Sequence, residues 1–386
     1  MRPNEFFVLL GLLGACSGDV GAAVQAMHMN SGIHNSEGSE PRLAFSAIAS
    51  ATNGLTRIRI HFSEHQFGAR SYARLQSIHD GQEQRLDAVT MRNWSDTSAM
   101  FNGSAVRVEL YVAPGDEEVF FVADSIIGEY AGGGITDPGW QGPTPGAETL
   151  CGADNRVAST DNRVGRFNGN CTGWLISNGG VLTAGHCNIA PGSIFEVNVP
   201  ASQANGTTAS AAMQDQFPVI AGSITIINNG PGNDWTVCRL NTNNLGQYAH
   251  EVHGFFRMTR ELPAAGQTLR VTGCGVDVSP QGTQPTVCAA FNSLGTCTHF
   301  GPNAQNQTLQ TSTGDFAGAN GSLLKHAVDA EPANSGSPII WEGNGFAIGI
   351  HTHGGCLSDG GANNGTWLGL NTLGNVIAGV PGPHTA

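Results

Sequence analysis

Apolar side chains fall on every second position in two stretches of the N-terminal third. Ile58, Ile60 and Phe62 alternate with Arg57, Arg59 and His61, and Val106, Val108, Leu110 and Val112 alternate with Arg107, Glu109 and Tyr111. A period of two sends successive side chains to opposite faces of an extended chain, so each run predicts a strand with one face in a core and one in solvent. Residues 27–130 are therefore read as a small β-sandwich with Trp94 in its core, a propeptide or accessory domain in which no nucleophile is brought near a base.

Residues 131–150 follow as a linker, because Gly132-Gly133-Gly134-Ile135-Thr136-Asp137-Pro138-Gly139 and Gly142-Pro143-Thr144-Pro145-Gly146 sustain neither helix nor sheet. From residue 151 to 386 short apolar runs recur between Gly, Asn and Pro turns: Phe195 with Val197 and Val199, Ile224 to Ile227, Leu269 to Val271, Phe346 to Ile350. They predict further strands and an all-β protein. There is no internal repeat, no heptad pattern and no membrane-spanning run.

Composition strengthens the all-β reading. Charged residues make up 12% of the 386, Gly occurs 54 times, and Lys325 is the single lysine, so surface helices laced with Glu–Lys pairs are not expected. A formal net charge of −13 repels phosphate backbones and speaks against a nucleic-acid partner. At the N-terminus, Arg2 precedes the apolar run Phe6-Phe7-Val8-Leu9-Leu10-Gly11-Leu12-Leu13 and then Gly14 and Ala15. That is the layout of an export signal occupying residues 1–26, too short to span a bilayer. Leu13-Gly14-Ala15-Cys16 resembles a bacterial lipobox, which makes Cys16 a lipidation candidate and allows a membrane anchor; ordinary cleavage after Ala26 is the alternative. Either route predicts an extracellular, periplasmic or outer-membrane location. With Cys16 removed or lipidated, eight cysteines remain, Cys151, Cys171, Cys187, Cys238, Cys274, Cys288, Cys297 and Cys356, an even set expected to form bridges in an oxidising compartment. None has the tight C-x-x-C spacing of a zinc ribbon.

Candidate chemistry sits in three separated motifs. Thr183-Ala184-Gly185-His186-Cys187 places a histidine among small residues after a predicted hairpin. Pro332-Ala333-Asn334-Ser335-Gly336-Ser337-Pro338 exposes a serine on a tight turn before the apolar Ile339-Ile340. Between them, Asp234 opens Asp234-Trp235-Thr236-Val237-Cys238-Arg239-Leu240. A serine hydroxyl is barely nucleophilic near neutral pH, and it needs a base within hydrogen-bond reach and a carboxylate to orient that base.

In motif and chain order these residues resemble the chymotrypsin-like serine peptidases, with T-A-[AG]-H-C around the histidine and G-[DNQS]-S-G-[GS]-P around the serine. The resemblance covers residues 151–386. It implies two antiparallel six-stranded β-barrels with the cleft between them, a catalytic triad of His186, Asp234 and Ser335, an oxyanion hole from the backbone N–H groups of Ala333 and Ser335, and a Cys171–Cys187 bridge. It also implies protein or peptide substrates, no cofactor and a monomeric enzyme.

Two departures stand out. Ala333 replaces the usual glycine, so a Cβ could crowd the substrate or resist the backbone orientation required. Asn334 replaces the aspartate with which many animal relatives capture a newly cut N-terminus, so that activation switch is not expected; the Asn-Ser-Gly-Ser-Pro version resembles bacterial members, including the glutamyl endopeptidases. The strand containing His351-Thr352-His353-Gly354 resembles the substrate-binding strand. His351 falls where glutamyl endopeptidases hold a histidine against an acidic side chain, whereas Asp329 falls where trypsin-like members select Arg or Lys. The two signals conflict, an acidic or undetermined specificity is favoured, and Asp329 is read as structural. No metal is assigned to His351 and His353. A peptide-binding pseudo-peptidase and a surface adhesin or structural lipoprotein are the rival readings.

Overall fold

The computed structural model describes residues 23–52, 54–130, 150–167, 171–203, 207–277, 305–357 and 360–380. Cys16, Cys288, Cys297 and all of the linker except Leu150 lie outside them. The alternating stretches are strands. Ile58, Ile60 and Phe62 lie on Leu55–Gln66, and Val106, Val108, Leu110 and Val112 on Ala105–Val112. Each strand is central or near-central in an antiparallel four-stranded sheet, one ordered Ala23–Asn30, Phe120–Tyr130, Leu55–Gln66, Phe101–Asn102, the other Arg42–Ser50, Ala105–Val112, Tyr72–Ser77, Glu83–Leu86. The apolar faces share one core with Phe121 and Trp94. The first strand is already paired at Ala23, opposite Gly128, three residues before the expected end of the signal at Ala26.

The rest of the described chain forms two curled antiparallel sheets and a two-stranded pairing of Cys356–Leu357 with Gly360–Gly361. The first runs Gln216–Pro218, Ile194–Glu196, Val164–Phe167, Cys171–Leu175, Gly180–Thr183, Asp234–Arg239, Thr225–Asn228. It curls until Val219 bridges Leu240 beyond two of its strand ends. The second closes fully into six strands, because Thr268–Gly273 pairs with both Pro338–Trp341 and Gln310–Asn320; Val157–Ala158 adds a short seventh strand outside. Phe167, Phe195 and Phe217 help fill the first sheet's interior, and Leu269, Phe316 and Ile348 the second's. A third apolar cluster, including Trp174, Trp235, Ile340 and Ile350, lies between the sheets together with Leu373 of the C-terminal helix Asn371–Gly379. No helix among the described residues is long and apolar enough to cross a membrane.

Disulfides join Cys171 to Cys187 and Cys151 to Cys356. Cys238 and Cys274 depart from the expectation of bridges: both are buried thiols that burial pushes up to about 12, one in the first sheet's core and the other in the cluster between the sheets. Parity counts cysteines but says nothing of which core each side chain enters.

The Arg57 and Arg59 end of the polar face of Leu55–Gln66 does not meet solvent, while His61 is partly exposed and Ser63 exposed. Arg57, 1% exposed, donates to Glu129 at 2.9 Å within its own domain and to Glu196 at 2.7 Å on the first curled sheet, where Arg166 also donates to Glu196 at 2.7 Å. Arg59 donates to the carbonyl of Gly192 at 2.8 Å, and Met100 exchanges backbone hydrogen bonds with the Gln216 amide. Ile194 and Met213 join the sandwich core. Removing one member of a buried ion pair strands its partner at a cost of about 3–5 kcal/mol. Arg57→Ala is therefore expected to lower stability by about that amount in chemical denaturation, with both domains losing resistance together.

Candidate active site

His186 lies in a single 3-10 turn, Gly185–Cys187, directly after the strand Gly180–Thr183. A side chain on Gly185 would run into the carbonyl of Ile227 and the carboxylate of Asp234, so glycine before the histidine lets this turn pack as closely as it does. Asp234 begins its strand fully buried. Its Oδ1 accepts the His186 backbone N–H at 2.9 Å and its Oδ2 lies 2.6 Å from His186 Nδ1. Thr366 on the second barrel fixes the aspartate's backbone, accepting its N–H at 3.1 Å and donating to its carbonyl at 3.0 Å.

A carboxylate only accepts, so Nδ1 of His186 carries the proton and Nε2 presents a lone pair. That Nε2 is 2.7 Å from Ser335 Oγ, in position to accept the hydroxyl proton. The serine turn is held from three sides: Gly336 N–H donates to the His351 carbonyl at 2.8 Å, His351 N–H to Ser337 at 2.8 Å, and Thr172 N–H to Ser335 at 2.8 Å. Gly336 has φ +95°, and a side chain there would strike Thr172 and Thr183. Ala333 has φ +74°, in the left-handed region that favours glycine, which locates the sequence's departure in a measurable backbone angle.

The substrate-strand residues divide. His353 packs beside His186 with ring centres 5.4 Å apart, its Nδ1 is 3.8 Å from Asp234 Oδ2 and 3.0 Å from Thr352 Oγ1, and burial pushes its pKa down. His186, Asp234 and His353 bring ligand-type atoms within 4.8 Å of one another. The 2.6 Å contact between His186 and Asp234 is nevertheless a hydrogen bond, shorter than the roughly 3.3 Å that separates two ligands of one tetrahedral zinc with 2 Å bonds. Thr352 places its carbonyl 3.4 Å from Ser335 Oγ. The Gly354 carbonyl accepts from Asn364 at 2.9 Å.

His351 is fully buried and meets a partner that sequence reasoning missed, His326, at 3.1 Å from its Nδ1. Val328 N–H donates to His326 Nδ1 at 3.3 Å, so the His326 proton sits on Nε2, is donated to His351 Nδ1, and leaves the His351 proton on Nε2. Burial pushes His326 down to about 3 and His351 well below its ordinary value. The signal was present in the alternation of the strand Leu323–His326, which turns Leu324 and His326 inward. Asp329 is buried, and its two oxygens accept the backbone N–H groups of Cys151 at 2.7 Å and Asn155 at 2.9 Å.

A buried carboxylate, an imidazole in the matching tautomer and a serine hydroxyl, set between two β-barrels, are the attributes of the chymotrypsin-like serine peptidases. Residues 152–367, more than half of the chain, match the Trypsin family, and the chain belongs to it. Among solved structures it is similar to one described as "Structure of Glu endopeptidase in complex with MPD", at 18% identity and TM-score 0.41, covering 59% of this chain and 96% of that one. No curated protein matches the sequence.

Two outcomes follow from the geometry. Ala333→Gly relieves a left-handed Cβ worth about 1–2 kcal/mol, offset by about 0.4–1 kcal/mol of added freedom in the unfolded chain. A net gain between about zero and about 1.6 kcal/mol is expected in urea unfolding. His326 and His351 stay neutral in the fold while unfolded histidines take a proton near 6.5, so stability is fully present above pH 6.5 and falls as pH drops from there towards 3. His326→Gln is expected to flatten that part of the stability–pH curve.

Proposed function

We propose that this protein is an endopeptidase that cleaves peptide bonds through an acyl-enzyme on Ser335. The observation that carries the reading is the unbroken chain from Asp234 Oδ2 to His186 Nδ1 at 2.6 Å and from His186 Nε2 to Ser335 Oγ at 2.7 Å. His186 takes the hydroxyl proton, Ser335 Oγ attacks the scissile carbonyl carbon, and the Asp234 charge stabilises the imidazolium. The oxyanion is received by the N–H groups of Ala333 and Ser335, each worth about 3 kcal/mol in such sites. His186 then gives its proton to the leaving amine. A water deprotonated by the same imidazole attacks the ester, releasing the carboxylic acid and restoring Ser335. The adhesin and pseudo-peptidase readings leave this hydrogen-bond chain without a purpose.

For specificity we favour cleavage after Glu or Asp. Asp329 is committed to backbone donors and does not offer a negative charge to an Arg or Lys side chain, while the tautomer chain from His326 sets His351 Nε2 as a donor suited to a carboxylate. Export through the N-terminal signal fits the two bridges among the described residues. A strand paired from Ala23 favours processing before that residue, as lipidation at Cys16 entails, over cleavage after Ala26. The sandwich, tied to the first barrel by Arg57, Arg59 and a shared core, reads as a retained accessory domain.

Ser335→Ala is expected to lower turnover by roughly 10⁴-fold or more, and near-normal activity in that variant would exclude the assignment. Cleavage of a mixed peptide library should yield fragments ending in Glu or Asp. A strong excess of Arg or Lys ends would contradict the role given to His351.

A further inference from the structure

Behind the serine turn lies a buried charge cluster that the hydrogen-bond chain does not use. Arg156 is 5% exposed and grips Asp154 with two nitrogens, Nε at 2.9 Å and Nη2 at 2.8 Å. The same Nη2 is 2.9 Å from Glu331 and 3.7 Å from Asp277, and Nη1 donates to the Val276 carbonyl at 2.9 Å. Glu331 is 3% exposed, and it sits two positions before Ala333 and four before Ser335.

Both ends of this contact feed into the turn that supplies the oxyanion donors. The Glu331 carbonyl accepts Asn334 N–H at 3.0 Å, and Val276 N–H donates to the Pro332 carbonyl at 2.8 Å. Arg156 therefore holds the turn by its acidic side chain and, through Val276, by its backbone. Residues 151–156 are themselves fastened to the same loop by the Asp329 carboxylate, and the Cys151–Cys356 bridge ties them to the chain beyond the strand Phe346–His353. With Nε and Nη2 on Asp154, Nη2 also against Glu331 and Nη1 on the Val276 carbonyl, the planar guanidinium is held in a single place.

We propose that Arg156 is a positioning residue for the oxyanion hole, acting through Glu331, and that it sets the site in the uncut chain. The inference rests on the peptidase reading above. Asn334 cannot pair with a freshly cut amino terminus, and Arg156 supplies from an internal side chain the positive charge that such a terminus would bring. No cleavage in the linker is then needed for activity. The N-terminal sandwich stays in place while the enzyme works.

The test compares full-length protein whose linker is intact with protein cut between residues 131 and 150, both treated with a fluorophosphonate, and adds Glu331→Gln and Arg156→Lys. Glu331→Gln keeps the shape and removes the charge. It is expected to cut kcat by about 10- to 100-fold, less than the loss of a whole oxyanion donor, with KM within about threefold and fluorophosphonate labelling slowed in step with kcat. Arg156→Lys keeps the charge without the fork and should recover part of the rate that Arg156→Gln loses. Intact and cut wild type should label at the same rate. Wild type that labels only after the linker is cut, or a Glu331→Gln enzyme with normal kcat, overturns the inference and leaves the peptidase reading standing. Wild type that never labels, cut or uncut, sinks both.

Discussion

The structure depends on one hydrogen bond, from His186 Nδ1 to a carboxylate that has no access to water. A buried charge of this kind is tolerable only when its lone pairs are met by donors. Asp234 has them at both oxygens, the His186 backbone N–H on Oδ1 and the imidazole N–H on Oδ2. The same bond fixes which nitrogen of His186 faces Ser335, so the electrostatics of a buried aspartate and the basicity of the imidazole are one fact seen from two ends. Gly185 lets the turn approach, and Thr366 locks the aspartate's backbone from the opposite barrel.

Two curled sheets, the second closed into a barrel, supply what short loops could not. His186 and Asp234 come from the first, Ser335 and Thr366 from the second, and an apolar cluster containing Trp174, Trp235 and Ile350 packs between them. Reorienting one sheet against the other would expose that cluster, so the 2.7 Å approach of histidine to serine is secured by hydrophobic burial far larger than the bond it protects. The sandwich adds a second brace on the outer wall of the first barrel, where Arg57 and Arg166 converge on Glu196.

What was legible in the sequence was local. The period-two runs became strands, Trp94 entered the sandwich core, and the three short motifs met at one point, because the turns that present His186 and Ser335 are written in consecutive small residues. Pairings across long separations were not legible. Alternation placed Arg57 and Arg59 on a solvent face, yet a second domain covers both. His326 and Thr366 act on partners 25 and 132 residues away; the alternation of Leu323–His326 turns His326 inward, but nothing nearby names either partner. Even cysteine parity suggested bridges for Cys238 and Cys274, whose side chains enter different apolar cores.

The most direct test of the central claim is to treat the purified protein with a fluorophosphonate at neutral pH and map the adduct by mass spectrometry, alongside His186→Ala. The account predicts a single phosphonyl group on Ser335, and little or none when the imidazole is absent. An adduct on another residue, or equal labelling of Ser335 without His186, would contradict it.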